Sequence, residues 1–291
     1  MSDPGSKIVI ITGATSGIGF AVMRRLLWEG FAVFAIGSRA ERSAAAKAKI
    51  LSELPNADLT FFSADLSSQK AVRSLAEEII QAIIQKNGGF FYALINNAGG
   101  VRNRYTTTPE GFEYTFALNH LSGFLLTNLL RPYFQGGVLL FTSSYAHKRM
   151  RIHWKDMMFE HFYSVLFSYK QSKLANVMMA IELKKRLKSD GIRVFAIDPG
   201  LVKTEIGDKG TKGLARIIWT LTKRRGTSAE LPALTYSFLL HHPETVGLYF
   251  KNCQPVRYNP QVDHPDQTSR LFELSEQLCS VRFHPTPEKP L

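Results

Sequence analysis

The sequence predicts an α/β protein: a doubly wound, seven-stranded parallel sheet with helices on both faces. Short runs rich in β-branched and aromatic residues alternate with longer segments of helical periodicity, and strict alternation requires helical, right-handed crossovers between parallel strands. The first apolar run, Ile8-Val9-Ile10-Ile11, leads into Thr12-Gly13-Ala14-Thr15-Ser16-Gly17-Ile18-Gly19 and then into a helical pattern. Residues with chemical capability fall just after the strands, the carboxyl edge where ligands gather in such sheets.

In order, the predicted strands are 7–12, 32–36, 59–63, 91–96, 138–142, 193–197 and 248–250. The helical stretches between them are 18–28, 40–53, 70–85, 110–130, 169–187 and 228–240. No linker, internal repeat or low-complexity tract divides the chain before Val281. The expected organisation is therefore one domain over 1–280, followed by a loose, disordered tail over 281–291 that carries Pro285, Pro287 and Pro290.

The glycine stretch reads as a dinucleotide pocket. A bound pyrophosphate needs backbone within contact distance, no Cβ atom in the way, and unpaired amides at a helix start. Gly13, Gly17 and Gly19 meet that demand, with Thr15, Ser16 and Ile18 in the same turn. After the second strand, where an acidic residue would hold the adenosine ribose of NAD, the chain reads Gly37-Ser38-Arg39. A guanidinium clamps a 2′-phosphate with charge-assisted hydrogen bonds and a serine hydroxyl adds another, so NADP(H) is expected over NAD(H). Asp65-Leu66 follows the third strand, where a short side chain either meets the adenine edge or caps the next helix. Asn96-Asn97-Ala98-Gly99-Gly100 follows the fourth, with small residues that let a cofactor lie close and asparagines that brace loop backbone.

Tyr169 and Lys173 are four apart at the start of a helical segment, which puts both on one face. Ser143 and Ser144 close the fifth strand at the same sheet edge. A phenol with an ordinary pKa near 10 is a weak base at neutral pH, but a nearby ammonium favours phenolate and makes Tyr169 a usable proton donor or acceptor.

Composition excludes several function classes. No apolar stretch reaches the ~18 residues of a spanning helix, and the first strand leaves no room for a signal peptide, so a cytoplasmic location is expected. Cys253 and Cys279 form neither a disulfide framework nor a zinc pattern, and His147, His153 and His161 lack ligand spacing, so no metal is expected. The net charge of +12 is spread along the chain without a nucleic-acid module, so no nucleic-acid partner is expected. One basic stretch is local: residues 208–226 hold Lys209, Lys212, Arg216, Lys223, Arg224 and Arg225 among Leu214, Ile217, Ile218, Trp219 and Leu221. That pattern reads as an interfacial amphipathic helix, with peripheral membrane contact through 211–225.

Taken together, Thr12-Gly13 through Gly19, Asn96-Asn97-Ala98-Gly99, Asn119, Ser144, Tyr169-Lys170-Gln171-Ser172-Lys173 and Asp198-Pro199-Gly200 resemble the classical short-chain dehydrogenase/reductase superfamily, whose fold is of Rossmann type. Asn119-His120-Leu121, Ser144-Tyr145-Ala146-His147, Ser172-Lys173-Leu174-Ala175-Asn176 and Tyr249-Phe250 followed by Cys253 resemble its retinol-dehydrogenase-like branch. So does the long aromatic and histidine-rich stretch 149–167 between the serine and the tyrosine. The resemblance implies Tyr169 as general acid/base, Lys173 holding the nicotinamide ribose, Ser144 orienting the substrate oxygen and Asn119 anchoring a relay water. It also implies Pro199 and Gly200 shaping the nicotinamide end, Val202 and Thr204 near the carboxamide, and a lid over about 204–226. The implied reaction is hydride transfer between NADP(H) and a hydrophobic aldehyde or ketone, or the matching alcohol, such as a retinoid, steroid or lipid-derived carbonyl. A non-catalytic NADP(H)-binding sensor or scaffold is the alternative. Helices containing Asn119 and Tyr169 pair in homodimers of the family, and an added carboxyl-terminal segment would block that pairing.

Overall fold

The computed structural model describes residues 7–202 and 227–283. Its strands form one eight-stranded sheet in the order β3-β2-β1-β4-β5-β6-β7-β8. The strands are β1 (Ile8–Thr12), β2 (Ala32–Gly37), β3 (Leu59–Ser63), β4 (Phe91–Asn96), β5 (Phe134–Thr142), β6 (Arg193–Ile197), β7 (Tyr249–Lys251) and β8 (Gln254–Pro255). The first seven pair in parallel, and β8 pairs antiparallel with β7.

Strands buried on both faces explain the near-continuous apolar runs. In β1 every residue is buried, with Ile8 and Ile10 facing one core and Val9 and Ile11 the other. The same alternation recurs in β2, where Phe34 and Ile36 oppose Val33 and Ala35, and in β5, where Leu139 and Phe141 oppose Val138 and Leu140. Helices α1 (Gly17–Trp28) and α2 (Ala40–Glu53) cover one face, and α3 (Gln69–Asn87) covers the other.

The predicted helix over 110–130 is shorter and built in pieces. Glu110 lies before it and spends its carboxylate on the start of α3, where Oε1 accepts from Gln69 N at 2.7 Å and Ser68 Oγ at 3.1 Å. Helix α4 (Tyr114–Phe116) starts at Glu113, which accepts from the amides of Thr115 and Phe116. It runs through a π-helical turn, Ala117–Leu121, into α5 (Ser122–Leu130). Helix α6 (Val165–Arg186) begins at its cap Ser164, so Tyr169 sits in the second turn rather than at the start. Helix α7 (Glu230–His241) returns to the face of α1.

Two elements add to the sequence reading. Strand β8 follows a tight turn in which Asn252 and Cys253 both have positive φ, at 50° and 61°. Such a turn matches strand twist, and Asn-Gly rather than Asn-Cys is its usual sign; here the Cys253 amide donates to Thr235 Oγ1 at 3.1 Å. Helix α8 (Pro265–Cys279) starts with proline, which suits a first turn that has no use for that amide. It buries Thr268, Leu271, Phe272, Ser275 and Cys279. Phe272 meets Phe124 edge-on at 5.3 Å, and Thr268 Oγ1 donates to Glu182 at 3.2 Å, so α8 covers the outer side of α5 and α6. Residues 281–283 continue that packing, with Phe283 edge-on to Phe272 and Arg131 stacked 4.0 Å above the Phe283 ring. The rest of the expected loose tail, 284–291, and the expected lid and membrane segment, which fall within 203–226, lie outside the described residues.

Candidate active site

The chain reverses direction across the sheet between β1 and β4, and the carboxyl ends of β1, β4, β5 and β6 surround that crevice. Thr12, the last residue of β1, holds the adjoining loops together. Its Oγ1 accepts from the amides of Asn97 and Ala98, each at 2.9 Å, while Asn97 Nδ2 donates to Thr12 O at 2.9 Å. The asparagine thus braces loop backbone as its sequence context suggests.

The glycine turn is tight. A Cβ on Gly19 would lie 2.2 Å from Gly13 O, so any side chain there would push α1 off the turn. Thr15 is partly exposed, and Ser16, the residue before α1, is exposed and makes no side-chain cap bond. The first amides of a helix have no intrahelical acceptors, so those of Gly17, Ile18 and Gly19 face an anion-attracting opening. Ser38 and Arg39 stand exposed at the end of β2, and the Arg39 side chain makes no hydrogen bond or ion pair with another described residue. Asp65 is exposed but turns back to its own loop, accepting from the amide and hydroxyl of Ser67. Leu66 is buried in the core.

Two consecutive polar residues of the π-helical turn, Asn119 and His120, are buried. Asn119 Oδ1 accepts from Gly100 N at 2.7 Å, and its Nδ2 donates to Ser172 Oγ at 2.9 Å; that hydroxyl in turn donates to Tyr169 O at 2.8 Å. A Cβ on Gly99 would come 3.2 Å from Asn119 Oδ1 and 3.3 Å from Lys173 Nζ, which puts the Gly99 loop against both side chains.

Lys173 is buried, and its ammonium donates to Thr142 O at 3.1 Å. Burial lowers its pKa to about 8. The ammonium lies 5.7 Å from the Tyr169 ring centre. Tyr169 is half-buried, and burial raises its pKa to about 12, against a hydrogen bond with Ser144 that favours the phenolate. The two adjacent serines are therefore not equivalent. Ser143 is buried and donates to the backbone oxygen of Lys173 at 2.8 Å, whereas Ser144 is partly exposed and reaches the tyrosine.

Asp198 is buried beyond β6, and its Oδ1 accepts from Gly200 N at 2.9 Å, which shapes the Pro199-Gly200 turn. Val202 bridges to Thr227, and Thr204 lies outside the described residues.

Two buried histidines that the sequence reading left as packed side chains or family-like detail border this site. His120, beside Asn119, places Nδ1 3.4 Å from Asn176 Oδ1 and Nε2 3.0 Å from Ser275 Oγ on α8. Asn176 Nδ2 donates to Thr142 O, the same oxygen that Lys173 uses. His147, three residues after Ser144, bonds to Ser144 O and to the amide of Asn259. His153 stacks on Phe159, and His161 pairs with Asp156.

Comparison with known proteins agrees with this geometry. The family model for short chain dehydrogenase matches residues 7–214. Human retinol dehydrogenase 12 is 32% identical over 96% of this chain and 88% of its own length. Human retinol dehydrogenase 13 is 33% identical over 99% of this chain and 88% of its own. Among solved structures, a protein from Mycobacterium paratuberculosis superposes with a TM-score of 0.73 at 27% identity, covering 96% of this chain and 95% of that one. A short chain dehydrogenase from Burkholderia cenocepacia, solved in complex with NADP, shares the fold with a TM-score of 0.67 at 22% identity, covering 86% and 98%.

Proposed function

We propose, for a chain that belongs to the short chain dehydrogenase family and is an oxidoreductase of its retinol-dehydrogenase-like branch, NADP(H)-dependent interconversion of a hydrophobic aldehyde or ketone and its alcohol. One observation carries this reading: Asn119, Ser144, Tyr169 and Lys173 lie together at the carboxyl edge of the sheet, beside an open helix start. The residues fit a dinucleotide. The uncapped start of α1 offers amides to a pyrophosphate, and Lys173 retains donors beyond its one bond to Thr142 O.

In this reading Gly13, Thr15, Ser16, Gly17, Ile18 and Gly19 hold the pyrophosphate, Asp65 and Leu66 border the adenine, and Asn97, Ala98 and Gly99 form the floor. Pro199, Gly200, Val202 and Thr204 border the nicotinamide end. Ser38 and Arg39 select the 2′-phosphate, since an exposed guanidinium with no acid partner among the described residues offers its donors to an anion. When bound, the nicotinamide supplies or accepts the hydride at the carbonyl carbon.

Tyr169 handles the proton. With its pKa raised to about 12 by burial, the phenol is loaded as an acid at neutral pH and donates to the carbonyl oxygen as negative charge develops there. Ser144 bonds the same oxygen and fixes its position. Lys173, mostly protonated at pH 7 with a pKa of about 8, stabilises the phenolate left behind. Asn119 holds the Gly100 loop and Ser172, and anchors the water through which Tyr169 regains its proton.

NADPH oxidation followed at 340 nm over a panel of hydrophobic aldehydes and ketones tests the reading, with Tyr169→Phe as control. Turnover that falls at least about a hundredfold in the variant is expected for loss of a positioned acid. NADPH binding without turnover across the panel would favour the sensor or scaffold alternative.

A further inference from the structure

We propose that His147 is a positioning residue for Ser144, a buried neutral imidazole that ties the serine turn to the carboxyl-terminal segment at Asn259. The inference rests on the reductase reading, because it explains how Ser144 comes to face the reacting oxygen.

His147 ends the short 3-10 turn Tyr145–His147 that begins just after Ser144, and it has no accessible surface. Nδ1 lies 2.6 Å from Ser144 O. A carbonyl oxygen only accepts, so Nδ1 carries the proton. Nε2 lies 3.1 Å from the amide nitrogen of Asn259, which only donates, so Nε2 is the unprotonated acceptor. The two neighbours together fix one neutral tautomer. Burial, which lowers the pKa of His147, acts in the same direction.

The clamp closes on itself. Asn259 Nδ2 donates to His147 O at 3.3 Å and to Met150 O at 2.8 Å, while its Oδ1 accepts from Gln261 N at 3.1 Å. The imidazole also stands edge-on to Tyr249, with ring centres 4.8 Å apart. Within the same turn Ser144 Oγ accepts from Ala146 N at 3.2 Å, so the direction of the hydroxyl belongs to the turn and not to the side chain alone. Removing the Nδ1 donor leaves the Ser144 carbonyl only the backbone amide of His147, at 3.1 Å within the turn, and unties the turn from the Asn259 segment. The turn is then free to shift, and the hydroxyl moves off the Tyr169 axis. Misplacement of a reacting group by about 1 Å can lower a rate about a hundredfold.

Two substitutions separate positioning from plain packing. His147→Asn puts an amide nitrogen near the Nδ1 position and keeps the bond to Ser144 O. His147→Gln puts its amide near Nε2, keeps the bond to Asn259 N and loses the donor to Ser144. Both remove the ring, so both should lower the melting temperature by comparable amounts. The expected result is a kcat for His147→Gln at least about tenfold below that of His147→Asn. NADPH affinity, read by fluorescence titration, should be alike in the two.

Equal kcat in the two variants, or kcat that simply follows melting temperature, would overturn the proposal. If neither variant folds, Asn259→Ala gives the comparison, since it leaves the imidazole in place and frees the carbonyls of His147 and Met150. A several-fold lower kcat with unchanged NADPH affinity supports positioning, and an unchanged kcat overturns it. Wild-type protein that binds NADPH but reduces no carbonyl would remove the reductase reading and this role with it, an outcome distinct from a wild-type enzyme whose His147 variants match each other.

Discussion

Acidification should destabilise this protein through His120, and the structure sets the size of the effect. The imidazole is fully enclosed between Asn176 on α6 and Ser275 on α8, and burial lowers its pKa from 6.5 to about 4. The unfolded chain therefore binds this proton more readily than the folded protein between those two values. Stability from His120 is intact above pH 6.5 and is lost as pH falls toward 4. Integrating the linkage between pH 7 and 5 gives a loss of about 2 kcal/mol from this one group. Urea melts of the wild type and of His120→Gln at both pH values isolate it, because the other titrating groups are common to the two proteins. The wild type should lose about 2 kcal/mol more than the variant over that interval. Parallel losses would show that His120 is not held neutral by burial and would refute the reasoning.

Arg39→Asp should raise the Kd of NADPH by at least about a hundredfold and leave that of NADH nearly unchanged, since it replaces a charge-assisted clamp on the 2′-phosphate with a repelling carboxylate; equal effects on both, measured by fluorescence titration, would remove Arg39 from cofactor selection. Carbonyl reduction should decline above a limb near pH 8, where buried Lys173 loses the charge that stabilises the phenolate, and Lys173→Arg should shift that limb out of range at a reduced rate. A rate–pH profile without that limb in the wild type would show that the ammonium is not required. Sedimentation with anionic liposomes should pull down the protein through the basic and apolar stretch 211–225, and recovery in the supernatant at low and physiological salt would discard membrane contact.

What was legible in the sequence was encoded locally. The strands of a doubly wound sheet announce themselves because both faces are buried, as in Ile8–Thr12, where no polar alternation interrupts the apolar run. Gly13 to Gly19 and the Tyr169–Lys173 spacing are also short-range signals, and each places its residues on one turn or one helix face. The choice between Ser143 and Ser144 could not be made from residue spacing alone. It depends on a long-range bond from Ser143 to the Lys173 backbone. Strand β8 escaped because its turn uses Cys253 where glycine is customary, and the tertiary bond to Thr235 that supports it lies elsewhere in the chain. Helix α8 escaped because its first turns are polar, and its apolar face is only a narrow stripe through Leu271, Phe272 and Cys279.

Those omissions share a cause, and it bears on the site. Asn119 and Ser144 have neighbours in sequence, His120 and His147, that point away from the cleft into the carboxyl-terminal part of the chain. Each imidazole meets a partner that sequence spacing cannot reveal, Ser275 in one case and Asn259 in the other. A histidine suits both positions because its two ring nitrogens bond groups on opposite sides while the ring itself packs as a flat, uncharged body. At His147 an aliphatic replacement would fill the space but leave the Asn259 amide without a partner in a buried setting, at a cost of about 1–3 kcal/mol, and would leave the Ser144 carbonyl only its bond from the residue 147 amide. The carboxyl-terminal segment is thus bonded directly to the two walls of the crevice. Truncating it before Asn259 would remove one partner of each histidine, Ser275 and Asn259, and would disturb the residues beside Asn119 and Ser144 before it disturbed the central strands, whose ladders lie within the sheet.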